Sequence, residues 1–202
     1  FFDVLQKQNI RFDTHVFLDE AAWKVLYKGG SGVQKAVAVI KGFLKRALTV
    51  LFHSHKYEYV FVHREASPVG PPIFEWLLAK VFRKKLIYDF DDAIWIPNIT
   101  ESNKVADKVK CFWKIKYICN WAYKIAAGNT YLADFALQHT KSPGNVSVIP
   151  TCVDTIIRFN QLKQQEAEKV VIGWTGSHST LPYLDAVFPV LKRLEAHFDI
   201  VF

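Results

Sequence analysis

Four clusters of residues have the types and spacing from which chemistry can be built. The run Asp89-Phe90-Asp91-Asp92 puts carboxylates at the end of an apolar stretch. A carboxylate there can act as a base, accept hydrogen bonds from sugar hydroxyls, or hold Mg²⁺. Alternatively, Asp92 caps a turn and Asp91 pairs with a basic neighbour. Arg64-Glu65 follows a second apolar stretch. Arginine grips a carboxylate or phosphate through two parallel bonds, and an internal pair of Arg64 with Glu65 or an aspartate is the even alternative. Asn129 follows Gly128 where a helix should begin, and a plain N-cap is the stronger reading.

The fourth cluster lies in VVIGWTGSHST, residues 170–180. A strand runs into a glycine turn and then a helix. Gly176 lets backbone approach an anion, and the first helical N–H groups have no internal partners. Ser177, Ser179 and Thr180 add hydroxyls, and His178 sits in the same turn. The Gly173-x-x-Gly176 spacing is neither the dinucleotide fingerprint nor a Walker loop, so a tight turn capped by Ser179 or Thr180 is the plain alternative. No HxxxH or HExxH spacing occurs, and Cys111, Cys119 and Cys152 share no metal-ligand spacing. No metal site is expected.

Apolar runs must position these groups. EYVFVH, LIYDF, KIAA, NVSVI and VVIGW, starting at Glu58, Leu86, Lys124, Asn145 and Val170, predict strands. Ile10–Phe17 alternates enough for a further short strand, and another begins near Asp199. Val33, Val37, Ile40, Leu44, Ala47 and Leu51 recur at helical spacing and predict an amphipathic helix over 33–52. Other helices are predicted through 19–27, 73–82, 103–123, 128–139 and 180–197. Strands alternating with helices call for an α/β fold, a parallel sheet covered on both faces, Rossmann-like and doubly wound. Ligands of such sheets sit outside the carboxyl ends of the strands, where all four clusters fall. A polar stretch, 155–169, reads as a linker between a domain over 1–154 and the first βαβ unit of a second over 170–202.

Composition narrows the class. The 202 residues are 50% hydrophobic, 15% aromatic and 22% charged, which supports a packed core and excludes a disordered or collagen-like chain. Lys+Arg 26 against Asp+Glu 19 leaves +7, a field that attracts phosphates, nucleotides or anionic lipid. The charge is too diffuse, and too far from any known module, for nucleic-acid binding. Two basic helices, 33–52 and 104–123, can dock peripherally on an anionic membrane. An ordinary surface helix kept soluble by lysines is the favoured alternative. Three cysteines, an odd number, fit a reducing, cytoplasmic compartment better than a disulfide framework. With no Met and with strand-like residues at its close, the sequence reads as an internal fragment.

The stretches FVHREASPVGPPIFEWLL, KKLIYDFDDAIW, AAGNTYLADFAL, VSVIPTCVDT and VIGWTGSHSTLPYL resemble, in order, bacterial glycosyltransferases of family 4, the GT-B type also called glycosyltransferase group 1. The resemblance implies two Rossmann-like domains facing across a cleft. The first mainly binds a glycan or lipid-linked acceptor, and the second a nucleotide-sugar donor. Transfer is usually with retention and without a metal cofactor. Asp91 and Asp92 would line the reacting centre, with Arg64, Glu65 and Asn129 at the same rim. Gly176 and Ser177 would sit at the donor diphosphate. Relatives often place a Gly-Arg step and a nearby Lys there; here Ser177 follows Gly176, and no Lys precedes Lys192. Phosphate binding would rest on backbone N–H groups, the hydroxyls and His178. A non-catalytic two-lobe binding protein and a nucleotide-sugar epimerase or dehydrogenase are the alternatives.

Overall fold

A computed structural model describes residues 2–27, 30, 32–97, 109–161, 170–176 and 178–201. The chain forms two compact units, Phe1–Thr151 and Cys152–Phe202. In the first unit, α1 (Phe2–Lys7), α2 (Glu20–Tyr27) and α3 (Gly32–Leu48) precede β1 (Tyr59–His63). Then follow α4 (Ile73–Trp76), which continues as a π-type turn, β2 (Lys85–Phe90), α5 (Lys114–Trp121), β3 (Lys124–Ala127), α6 (Thr130–His139) and β4 (Val146–Val148).

The four strands are all parallel and lie side by side in chain order. The unit is therefore a parallel α/β layer structure, compatible with a Rossmann-like fold. Right-handed crossovers advancing in one direction put every connection on one face. The core has this one-sided form. Val62, Leu86, Tyr88, Phe90, Ile125 and Ala127 from the strands meet Phe74 and Leu78, Ile115 and Ile118, and Leu132 and Ala136 from the helical segments.

Coverage of both faces, expected from the apolar runs, is not found among the described residues. Phe61 on the opposite face is 62% exposed, and Tyr59 beside it is also exposed. The strand order does not reverse, so among the described residues no β-to-β connection crosses to that side. Most of the predicted apolar stripe of α3 is likewise turned outward: Val33, Ile40 and Leu44 are exposed. Of the stripe Ala47 lies against the core, together with Phe43 from outside it.

Residues 10–17 form no strand. Side chains anchor this segment in place of a sheet ladder. The Phe17 ring lies where a Cβ on Gly42 would stand, 2.6 Å away, and meets Phe43 edge-on at 5.2 Å. Tyr57 Oη donates to Asp13 Oδ2 at 2.6 Å, and an Arg46 Nη donates to the His15 carbonyl at 2.9 Å.

The predicted helix 103–123 falls partly outside the described residues. Within them, Cys111 takes a positive φ of 55° and α5 begins only at Lys114. Burial pushes the thiol of Cys119, on α5, up to about 12, an inert core group.

In the second unit, β5 (Val170–Val171) pairs in parallel with β6 (Ile200–Val201). The helix predicted over 180–197 is divided. His178–Ala186 is a 3₁₀ segment, and α7 (Phe188–Glu195) follows with Pro189 in its first turn. Pro182 lacks the N–H an α-helix interior needs, whereas Pro189 sits where a missing N–H costs nothing. Among the described residues no helix is long and apolar enough to cross a membrane.

Candidate functional site

The site is built where β1, β2 and β3 end. Register sets His63, last in β1, beside Asp89 of β2, and Phe90 beside Ala127 of β3. Each strand then leaves the sheet through one of the predicted clusters.

Arg64 organises the edge. Its N–H donates to the Asp89 carbonyl at 2.7 Å, and the Glu65 N–H reaches back to the His63 carbonyl at 2.7 Å. That closes a γ-turn with Arg64 at φ 59°. A non-glycine residue held there costs about 1–3 kcal/mol and persists only where its surroundings hold it. Two carboxylates do so. Nε donates to Asp91 Oδ1 at 2.7 Å, and an Nη donates to Asp92 Oδ2 at 2.5 Å. The hydrogen bond from Arg64 holds the Asp91 carboxyl below its ordinary range against a smaller effect of burial. Of the two readings of these residues, the internal ion pair is therefore formed, and it binds both aspartates to one guanidinium.

His63 and Asp89 form a second pair. Nδ1 lies 2.6 Å from Asp89 Oδ2, with the side chains 54% and 26% exposed. Both residues stand at a predicted strand end, but only register shows that they share one face, because side chains alternate along each strand.

Glu65 turns inward. Its Oε1 lies 3.1 Å from Lys114 Nζ, an ion pair rather than an aligned hydrogen bond, with side chains 11% and 1% exposed. Lys114 Nζ also donates to the Ser67 carbonyl at 2.9 Å. Nearby, buried Glu75 accepts from the Ala66 N–H at 2.8 Å through Oε1, while Oε2 has no hydrogen-bond partner among the described residues. Burial raises the Glu75 carboxyl above its ordinary value, partly offset by hydrogen bonding and by Lys114. This inner layer fixes the loop after β1 from beneath. The reading of Lys114 as a solubilising surface lysine is corrected: its stem and charge are both enclosed. Lys110 and Lys116 do remain outside, over the rings of Phe112 and Tyr117.

Gly128 and Asn129 follow β3. Asn129 Oδ1 accepts from the Leu132 N–H at 2.9 Å and caps α6, satisfying a donor that the first turn leaves open. The acidic turn is tied to that helix by Trp95, whose ring stacks on Phe135 with centroids 3.7 Å apart and meets Phe90 edge-on at 6.1 Å. The sequence fragments DFDDAIW and YLADFAL are thus one packed unit. On the outer side of α4 and α5, Trp76, Trp113, Tyr117 and Trp121 line an apolar groove with Pro71 and Pro72.

In the second unit, the Trp174 ring closes over Gly176, and a Cβ there would also stand 2.7 Å from Thr180 Oγ1. A side chain at this position would displace the half-exposed Trp174 ring. Ser177 lies outside the described residues; His178, Ser179 and Thr180 open the 3₁₀ segment.

Compared with known proteins, the chain matches no protein-family model and no curated protein.

Proposed function

We propose that this chain is part of a glycosyltransferase of the GT-B type that moves a sugar from a nucleotide-sugar donor to a glycan or lipid-linked acceptor. In this reading the parallel sheet is half of a doubly wound acceptor domain. The observation that carries the proposal is the ionised cluster Arg64–Asp91–Asp92 at the carboxyl edge of β1 and β2, the edge where parallel sheets bind ligands.

The pairing assigns the aspartates a specific task. Asp91, lowered by its hydrogen bond from Arg64, is a poor proton acceptor, and both aspartates keep oxygens that accept hydrogen bonds. Asp91 and Asp92 therefore orient sugar hydroxyls, and their negative charge favours the positive character that grows on the sugar ring as the donor bond breaks. Asn129 acts through α6, whose start it fixes beside the acidic turn. In the second unit, the Gly176 turn with Ser177, His178, Ser179 and Thr180 is the segment assigned to the donor diphosphate.

Asparagine at positions 91 and 92 tests the reading. Asp91→Asn and Asp92→Asn should each lower turnover of a nucleotide sugar by about 100-fold while binding persists. Binding of nucleotide sugars with no turnover in the unaltered protein would favour a non-catalytic binding protein instead.

A further inference from the structure

Aromatic rings gather where α6 begins. Trp95 lies face to face with Phe135, meets Phe90 edge-on, and stacks on Tyr131 with centroids 6.0 Å apart and planes 29° from parallel. Phe90 belongs to the buried core, and Phe135 and Trp95 pack against it. Tyr131, in the first turn of α6, is 58% exposed. Phe90 and Phe135 already hold Trp95, so the outermost ring is not needed to close the core. A phenol ring fixed by its neighbour yet open to solvent offers rigid contact area at little cost in side-chain entropy.

We propose that Tyr131 is a binding platform for the acceptor and that the acceptor presents a saccharide ring to it, an inference that rests on the glycosyl-transfer reading and narrows it. A pyranose has a rim of hydroxyls and a face of C–H groups. The electron-rich face of an aromatic ring takes such C–H groups, and carboxylates accept from hydroxyls. Both kinds of partner stand at one edge of the sheet. Asp92, in the same turn as Trp95, has a side chain 63% exposed and gives Arg64 one of its two oxygens. Tyr131 follows Asn129, the cap of α6, by two positions. An aromatic wall with a few polar groups beside it is the usual make-up of a site for a small ligand. The groove of Trp76, Trp113, Tyr117 and Trp121 lacks the second half of that pattern, since no carboxylate lines it.

The test takes the full-length protein with a panel of nucleotide sugars as donors and methyl and octyl pyranosides as acceptors. For the glycosides that accept sugar, Tyr131→Ala should raise acceptor KM about tenfold with kcat within about threefold, equally for methyl and octyl glycosides. Tyr131→Phe, which keeps the ring and loses the hydroxyl, should hold acceptor KM within about threefold.

An unchanged acceptor KM in Tyr131→Ala overturns the inference, and so does a rise in donor KM in its place. A rise confined to the octyl glycosides overturns it by putting hydrocarbon on the ring. An equal rise in Tyr131→Phe overturns it by making the hydroxyl the contact. Hydrolysis of a nucleotide sugar with no glycoside accepted removes the saccharide platform alone. No turnover of any nucleotide sugar by the unaltered protein removes the glycosyl-transfer reading and this inference with it.

Discussion

A Cβ built on Gly128 would stand 3.0 Å from Asp91 Cα. The end of β3 and the acidic turn after β2 therefore touch backbone to backbone, and the Gly128 N–H seals the approach by donating to the Phe90 carbonyl at 3.0 Å. Glycine is required here for closeness. Because the obstacle is main chain, it yields poorly. Gly128→Ala should cost about 1–3 kcal/mol in urea denaturation and shift the amide resonances of Arg64 and Asp91 as their ion pair is displaced.

Lys114 should be the most sensitive charge in the unit. Its removal takes from buried Glu65 its ion-pair partner, and breaking a buried pair from one side costs about 3–5 kcal/mol. Lys114→Met, which keeps the aliphatic stem, should show that loss in the urea midpoint. Adding Glu65→Gln should recover part of it, because no unpaired charge then remains at that position.

Two carboxyls should give opposite pH slopes. Glu75 is raised in the folded protein by burial, so the folded state binds its proton more tightly than the unfolded chain. Its contribution to stability is greatest below the ordinary glutamate range and falls as pH rises through the raised value. Asp91 is lowered, chiefly by the Arg64 hydrogen bond. Its contribution is present above the ordinary aspartate range and is lost as pH falls through the depressed value. Denaturation across pH should therefore show Glu75→Gln flattening the decline on the neutral side and Asp91→Asn flattening the loss on the acid side.

The positive φ of Arg64 makes a separate claim. Arg64→Gly loses both aspartate bonds but relieves the backbone, whereas Arg64→Ala loses the bonds and keeps the strain. The glycine variant should be the more stable of the two by about 1 kcal/mol, read from thermal denaturation. The opposite order would mean that the γ-turn relaxes when the guanidinium is gone.

The sheet was legible because its strands are short apolar runs, three of the four ending in a polar cluster; KIAA coincides with β3, and LIYDF with all but the first residue of β2. Residues 10–17 misled because alternation reports two-sidedness and not pairing, and among the described residues no strand pairs with them. The stripe of α3 had the right period, but periodicity does not say which side meets the core. Within the site, Arg64, Asp91 and Asp92 stand out by type and by position at strand ends. The partnership of Lys114 with Glu65 does not, since 49 positions separate them and a lysine among lysines carries no sign of burial. His63 with Asp89 needed the strand register as well as the sequence.

Sugar transfer from a nucleotide sugar must release nucleoside diphosphate. Full-length protein incubated with a panel of nucleotide sugars should release the diphosphate from at least one donor, by transfer or by slow hydrolysis, and Asp91→Asn should lose that release by about 100-fold. No release from any donor by the unaltered protein would mean that it is not a glycosyltransferase.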